Sequence, residues 1–249
     1  VDTHGQVLGI VRSPDAPIFG TDVSLQKART AMFFSNPNAA ANLIAAGGGV
    51  APFVQAMRTF LNDPQALTGN FAYGNRSVGN LARPYFPDGE LGRPPGPLSR
   101  PIEDFNPFAV GLQVQLVAGN IIQHAQFVAG ASATDTAQRC TSLPDAAAGQ
   151  NRLQNGIQIF PGGVPIYRGG VLVGGIGVSG DGIDQDDMVS FLGLNNGGQR
   201  VGSIGNAAND RRADRIVVNV GNAQVRLRYI SCPFAPFLDT NTQNVCEGL

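Results

Sequence analysis

The chain holds few residues able to carry out reactions. It has two histidines, His4 and His124, and three cysteines, Cys140, Cys232 and Cys246. The cysteines show no CxxC spacing, so a thiolate metal site of the usual kind is not written here, and CxxCH for a covalently attached tetrapyrrole is absent. Ser179 has no histidine at a spacing that suggests a base, which leaves little nucleophilic or acid–base machinery. The densest charged feature is the loop Asp181-Gly182-Ile183-Asp184-Gln185-Asp186-Asp187. It lacks the ligand order and terminal glutamate of an EF-hand. Its carboxylates read as caps for a helix carrying Met188, Val189 and Phe191. Just upstream, Gly175-Ile176-Gly177-Val178-Ser179-Gly180 fits GxGxxG. The dinucleotide reading needs a strand to end at the first glycine and a helix to open at once. Here the glycines lie inside a hairpin strand and carboxylates follow, so that reading fails.

Bulk properties exclude further classes. Over 249 residues the apolar share is 43% and the charged share 14%, with net charge −1 and no basic run. That suits a packed core and disfavours binding to nucleic-acid phosphates. Glycine and polar residues break the apolar runs before they reach membrane-spanning length. Lys27 is the one lysine among 17 basic residues, a bias that fits either base composition or a use for fixed guanidinium groups. Cys232 and Cys246 bracket a proline-rich tail, where a disulfide would fix the C-terminal segment. Such a bond points to an oxidising compartment, periplasmic or secreted, and leaves Cys140 over.

The elements that must position these residues follow from periodicity. Val1 to Val7 reads as a strand end, a tight turn and a new strand over 6–12. The chain therefore looks like a fragment whose preceding helix and strand lie elsewhere. Residues 22–34 read as a helix capped by Thr21 or Asp22, with Val23, Ala28, Ala31 and Met32 at helical spacing. Further helices are expected at 38–46 and 51–62. Residues 68–107 form a Gly/Pro/Asn/Arg-rich excursion with scattered aromatics, pinned either on its own domain or at a subunit interface. Residues 108–129 fit helix or strand. Strands are expected at 157–160, 163–168, 171–178, 215–220 and 224–229, and a short helix near 186–194.

Gly169-Gly170 closes the central hairpin in a register that pairs Arg168 with Val171, Tyr167 with Leu172, Ile166 with Val173 and Pro165 with Gly174. Pro165 then falls on a non-hydrogen-bonded pair and is tolerated. Gly174, Gly175 and Gly177 weaken their strand, which implies the close approach of a helix, a planar ligand or another subunit.

The run from Pro161-Gly162-Gly163-Val164-Pro165-Ile166-Tyr167 through Gly169 to Asp187 resembles the GlcG/HbpS-like heme-binding, or heme-degrading, family. So does Asp2 with Gly5, Arg12 and Lys27-Ala28-Arg29-Thr30-Ala31. The resemblance implies an α+β, profilin-like fold, an antiparallel β-sheet packed with helices. Residues 1–35 and 156–230 would form its core, 36–155 a long loop-rich insertion and 231–249 a C-terminal tail. It also implies a heme or related tetrapyrrole ligand, extracytoplasmic occurrence in some members and a homo-oligomer. His124, His4 and Tyr167 are the candidate cofactor ligands, with Gly174, Gly175 and Gly177 against the group. A non-catalytic binding protein is the expected function. A structural subunit with an empty pocket comes second and an enzyme third.

Overall fold

The computed structural model describes residues 1–107, 110–180, 182–233 and 244–249. Asp181, singled out in the sequence, lies outside the described residues, as do Phe108 and most of the proline-rich tail. The fold is α+β. Among the described residues six α-helices run in chain order as α1 (Gly20–Phe34), α2 (Ala39–Ala46), α3 (Ala51–Leu61), α4 (Asn75–Leu81), α5 (Gly111–Val128) and α6 (Ile183–Val201). The strands are β1 (Gly163–Arg168), β2 (Val171–Gly177), β3 (Val217–Val220) and β4 (Ala223–Arg226). They form two separate antiparallel hairpins, β1–β2 and β3–β4. Isolated bridges extend the first one on both sides, from Asp2 to Gly174 and from Tyr167 to Gly205.

α1 lies at the centre. From Lys27 to Phe34 every residue is buried, because β1 and β2 cover one face and α4 another. The core continues through Phe33, Phe34, Leu43, Met57, Tyr73, Leu81 and Phe86 into α2–α4 and the excursion. The excursion's aromatics Tyr73 and Phe86 are thus packed on this domain's own core. Burial of such side chains contributes about 1.5–3 kcal/mol each.

Several sequence expectations change here. The hairpin keeps the pairs Arg168–Val171 and Tyr167–Leu172, but a bulge between Ile166 and Tyr167 then shifts the register. Ile166 faces Gly174, Pro165 faces Gly175, and Val173 is the extra residue. Residues 6–12 form no strand. Val1 already holds the outer edge of β2, with its amine on Gly175 O at 2.9 Å and Gly175 N on its carbonyl at 3.1 Å. Residues 7–11 are left without a described ladder, and Leu8 and Val11 stand 74% and 101% exposed. Segment 157–160 is also not a strand. Its amides bond to side chains instead: Ile157 N to Gln113 Oε1, Gln158 N to Thr30 Oγ1 and Phe160 N to Gln158 Oε1.

The ambiguous segment 108–129 contains helix α5. Its alternating apolar residues misled because Gln113 and Gln115 do not face water. Gln113 caps the Ile157 amide, and the Gln115 side chain lies over Gly49. The N-cap of α1 is Phe19, with no side-chain cap from Thr21 or Asp22.

The β2 glycines are explained by α1 and Val1. A Cβ at Gly177 would sit 2.1 Å from Ser24 O, one at Gly175 2.4 Å from Ala28 O, and one at Gly174 2.1 Å from Val1 O. Gly177→Ala is therefore expected to cost about 1–3 kcal/mol through overpacking. Gly193→Ala, in α6 with open space at its Cβ, is expected to stabilise by about 0.5–1 kcal/mol. Urea denaturation of both variants checks the opposite signs.

Candidate functional site

The acidic residues after the hairpin do not cap α6. The helix N-cap is Gly182, and no side chain bonds to the free amides. Asp186 and Asp187 turn inward, 4% and 0% exposed. Lys27 Nζ donates to Asp186 Oδ2 and to Val178 O, each at 2.8 Å. Arg76 Nε donates to Asp187 Oδ2 at 2.6 Å, and its Nη2 reaches Asp184. The remaining Asp187 lone pairs accept from Gly162 N at 2.7 Å and Ser231 N at 2.9 Å. Two carboxylates thus tie together α1, α4, α6, the start of β1 and the tail. Burial pulls the Lys27 ammonium below its ordinary value against the pull of Asp186, and pushes the Asp187 carboxyl up against the Arg76 contact. Desolvation outweighs pairing in both, so the pairs specify geometry more than they add net stability.

A separate cleft of about 390 Å³ opens between α1 and the end of β2, and none of these paired side chains lines it. The 9–17 segment makes one wall. The first turns of α1, with Thr21 and Ser24, and the β2 end, with Gly175, Gly177 and Ser179, make the others. Neither histidine nor Tyr167 lines it.

His4 sits in the Asp2–Gln6 turn, where Asp2 Oδ1 accepts from both His4 N and Gln6 N. Its ring is half exposed and lies 3.9 Å from Asp2 Oδ2. Tyr167 is 5% exposed on β1, with Arg211 stacked on its ring at 5.4 Å. Burial pushes its phenol up, away from the phenolate form that iron would take. Gly175 and Gly177 line the cleft, but α1 already holds their close approach.

His124 is placed differently. It projects from α5 and is 57% exposed, with Nδ1 2.8 Å from Asp135 Oδ1. A carboxylate acceptor at Nδ1 favours the neutral tautomer that carries its proton there, in which Nε2 holds the lone pair. The same contact holds the Asp135 carboxyl below its ordinary range. Around the imidazole, Ile121 (62%), Phe127 (41%) and Val128 (71%) are exposed, at helix spacings of three and four residues. A carboxylate-oriented imidazole amid apolar side chains is the donor set of an axial tetrapyrrole ligand. The cleft, by contrast, is lined by no histidine, tyrosine, cysteine or methionine. Asp135 was not anticipated in the sequence; its only signal was an acidic residue one loop beyond the helix that carries His124.

Among the described residues no cluster of three metal-ligating side chains occurs. No helix among them is long and apolar enough to cross a membrane. A disulfide joins Cys232 to Cys246, as the spacing suggested, and Cys140 is free.

Lys27→Met should destabilise the fold by about 3–5 kcal/mol, because Asp186 is left buried and unpaired. Lys27→Met with Asp186→Leu should recover much of that loss in the same urea titration.

Comparison with known proteins gives one match. Residues 113–195 fit the family model described as "Haem degrading protein HbpS-like", a span that runs from α5 through the β1–β2 hairpin into α6. No curated protein and no solved structure matches the chain. The match includes the hairpin residues that carried the resemblance, and over residues 113–195, about a third of its length, the chain is similar to that family.

Proposed function

We propose that the protein binds heme or a related tetrapyrrole without processing it, in an extracytoplasmic compartment, with His124 Nε2 as the iron ligand. One observation carries this reading: the Asp135-oriented imidazole stands on an exposed apolar helix face inside the family-matched span. Asp135 holds the imidazole ring in its orientation through the Nδ1 contact. Ile121, Phe127 and Val128 offer apolar contact to a planar ring system. The bound group would supply its own iron chemistry; the residues at this face hold and orient it. The Cys232–Cys246 disulfide agrees with an oxidising location.

Titrating hemin into the purified protein should give a saturable Soret shift. His124→Ala should abolish the shift or weaken it by a factor of 10 or more, and Asp135→Asn by about 10-fold. His4→Ala should leave it unchanged. A shift that survives His124→Ala would overturn the assignment.

A second reading, a homo-oligomeric structural subunit, is favoured by a different surface. Val7, Leu8, Ile10, Val11, Ile18 and Phe19 are all exposed, between 43% and 101%, within one stretch of chain. Contiguous apolar surface of this kind marks association. Size-exclusion chromatography with light scattering should then show an assembly without ligand, dissociated by Leu8→Asp with Val11→Asp. A monodisperse monomer at high concentration would remove this reading.

A further inference from the structure

The β3–β4 hairpin and the C-terminal residues enclose a second concavity, of about 320 Å³, away from α5 and from the cleft. Its wall holds three guanidinium groups, Arg212, Arg215 and Arg226, one carboxylate, Asp214, and the tail residues Cys246 and Leu249. Three guanidinium groups thus face one side-chain carboxylate in this wall.

The arginines are fixed before any ligand arrives. Arg212 Nε donates to Ala207 O at 2.9 Å and its Nη1 to Leu249 O at 2.8 Å. Its guanidinium also stacks on Phe191 and Tyr229, at 5.0 and 5.6 Å from the ring centroids. Arg215 Nε donates to Asn209 O at 2.9 Å, and Arg226 Nη1 to Asp214 O at 3.1 Å. Among the described residues each side chain is thus pinned by one or two of its five N–H donors, which leaves donors for a ligand. Arg76, Arg83, Arg93 and Arg139 all form ion pairs with carboxylates. Among the described residues Arg215 and Arg226 make no such pair.

Holding three like charges around one small space is unfavourable unless an anion sits among them. Pinned guanidinium forks match oxyanions bidentately and lose little side-chain entropy on binding. The volume lies near the lower end of ligand sites, which suits a small anion and is too tight for a macrocycle. From this arrangement we propose that the concavity is a binding site for a phosphate-class oxyanion, free or as the terminal group of a phosphate monoester. Arg215 and Arg226 supply the open donors, and Arg212 is the anchored wall. The Cys232–Cys246 disulfide holds the tail side of the site in place.

Isothermal titration of the full chain with inorganic phosphate, at constant ionic strength in chloride buffer, should give saturable binding. Arg215→Gln with Arg226→Gln should weaken it roughly 10-fold or more, the loss expected for two charge-assisted contacts. Arg168→Gln, an exposed arginine on the other hairpin, should leave it unchanged. Glycerol phosphate in a parallel titration distinguishes the sources: tighter binding than phosphate identifies a monoester, and equal or weaker binding identifies the free ion. Hemin titration of the double variant should be unaltered, so this site and the α5 site fail independently. Absence of saturable phosphate binding, or equal affinity in the double variant with an unchanged melting temperature, overturns the proposal.

Discussion

The fold depends on burying two carboxylates at the first turn of α6. Asp187, at 0% exposure, can stay there only because three donors surround it, from Arg76, Gly162 and Ser231. Those donors come from α4, the approach to β1 and the start of the tail, so satisfying one side chain fixes three distant pieces of backbone. Lys27 does the same for α1 and the end of β2 through Asp186 and Val178. An unpaired buried charge is too costly to tolerate, so the arrangement admits one relative placement of α1, α4, α6 and the hairpin. This also explains why the chain's lone lysine is among its most buried side chains. A compact ammonium on a flexible stem can reach two acceptors in a narrow space where a planar guanidinium would need a wider one.

That placement dictates the glycines. With α1 drawn onto the hairpin by Lys27, its backbone oxygens at Ser24 and Ala28 come within Cβ distance of β2. Only glycine fits at 175 and 177. The bulge at Ile166/Tyr167 follows the same logic, since it lets the strand keep its edge contacts with Asp2 and Gly205 while Pro165 avoids a ladder bond.

The sequence revealed features governed by local rules. Helices α1, α2 and α3 follow from their apolar spacing, and Gly169-Gly170 fixes the tip of the hairpin. The disulfide follows from its loop, and the false dinucleotide motif falls to its own context. What stayed hidden was decided by distant partners. Asp186 and Asp187 look like helix caps until Lys27 and Arg76, 159 and 111 residues away, are brought to them. Segments 6–12 and 157–160 have strand composition, yet one has no free edge to join and the other finds its partners in side chains. α5 read as a possible strand because Gln113 and Gln115, polar by type, are used inward. His124 was visible as a residue, but its orientation depends on Asp135, whose role no periodicity encodes.

Polar and apolar groups are distributed in the reverse of the usual order around α5. The interior near α6 holds sequestered charges, whereas α5 buries Leu112 and Leu116 in its first turns and carries Ile121, Ile122, Phe127 and Val128 out into solvent. The outer part of the helix is held to the next segment by polar bonds: Asn120 to Arg139 O, Gln123 to Asp135 O, and His124 to Asp135. Those bonds keep the helix rigid without covering its apolar side chains. A face kept rigid, apolar and uncovered has a solvation cost that burial against a flat apolar surface would relieve, at about 25 cal/mol per Å². The imidazole at its centre adds one directional contact to that non-directional one. An extended apolar surface with a single electron-pair acceptor at its middle satisfies both together, and a metal-bearing macrocycle is such a surface.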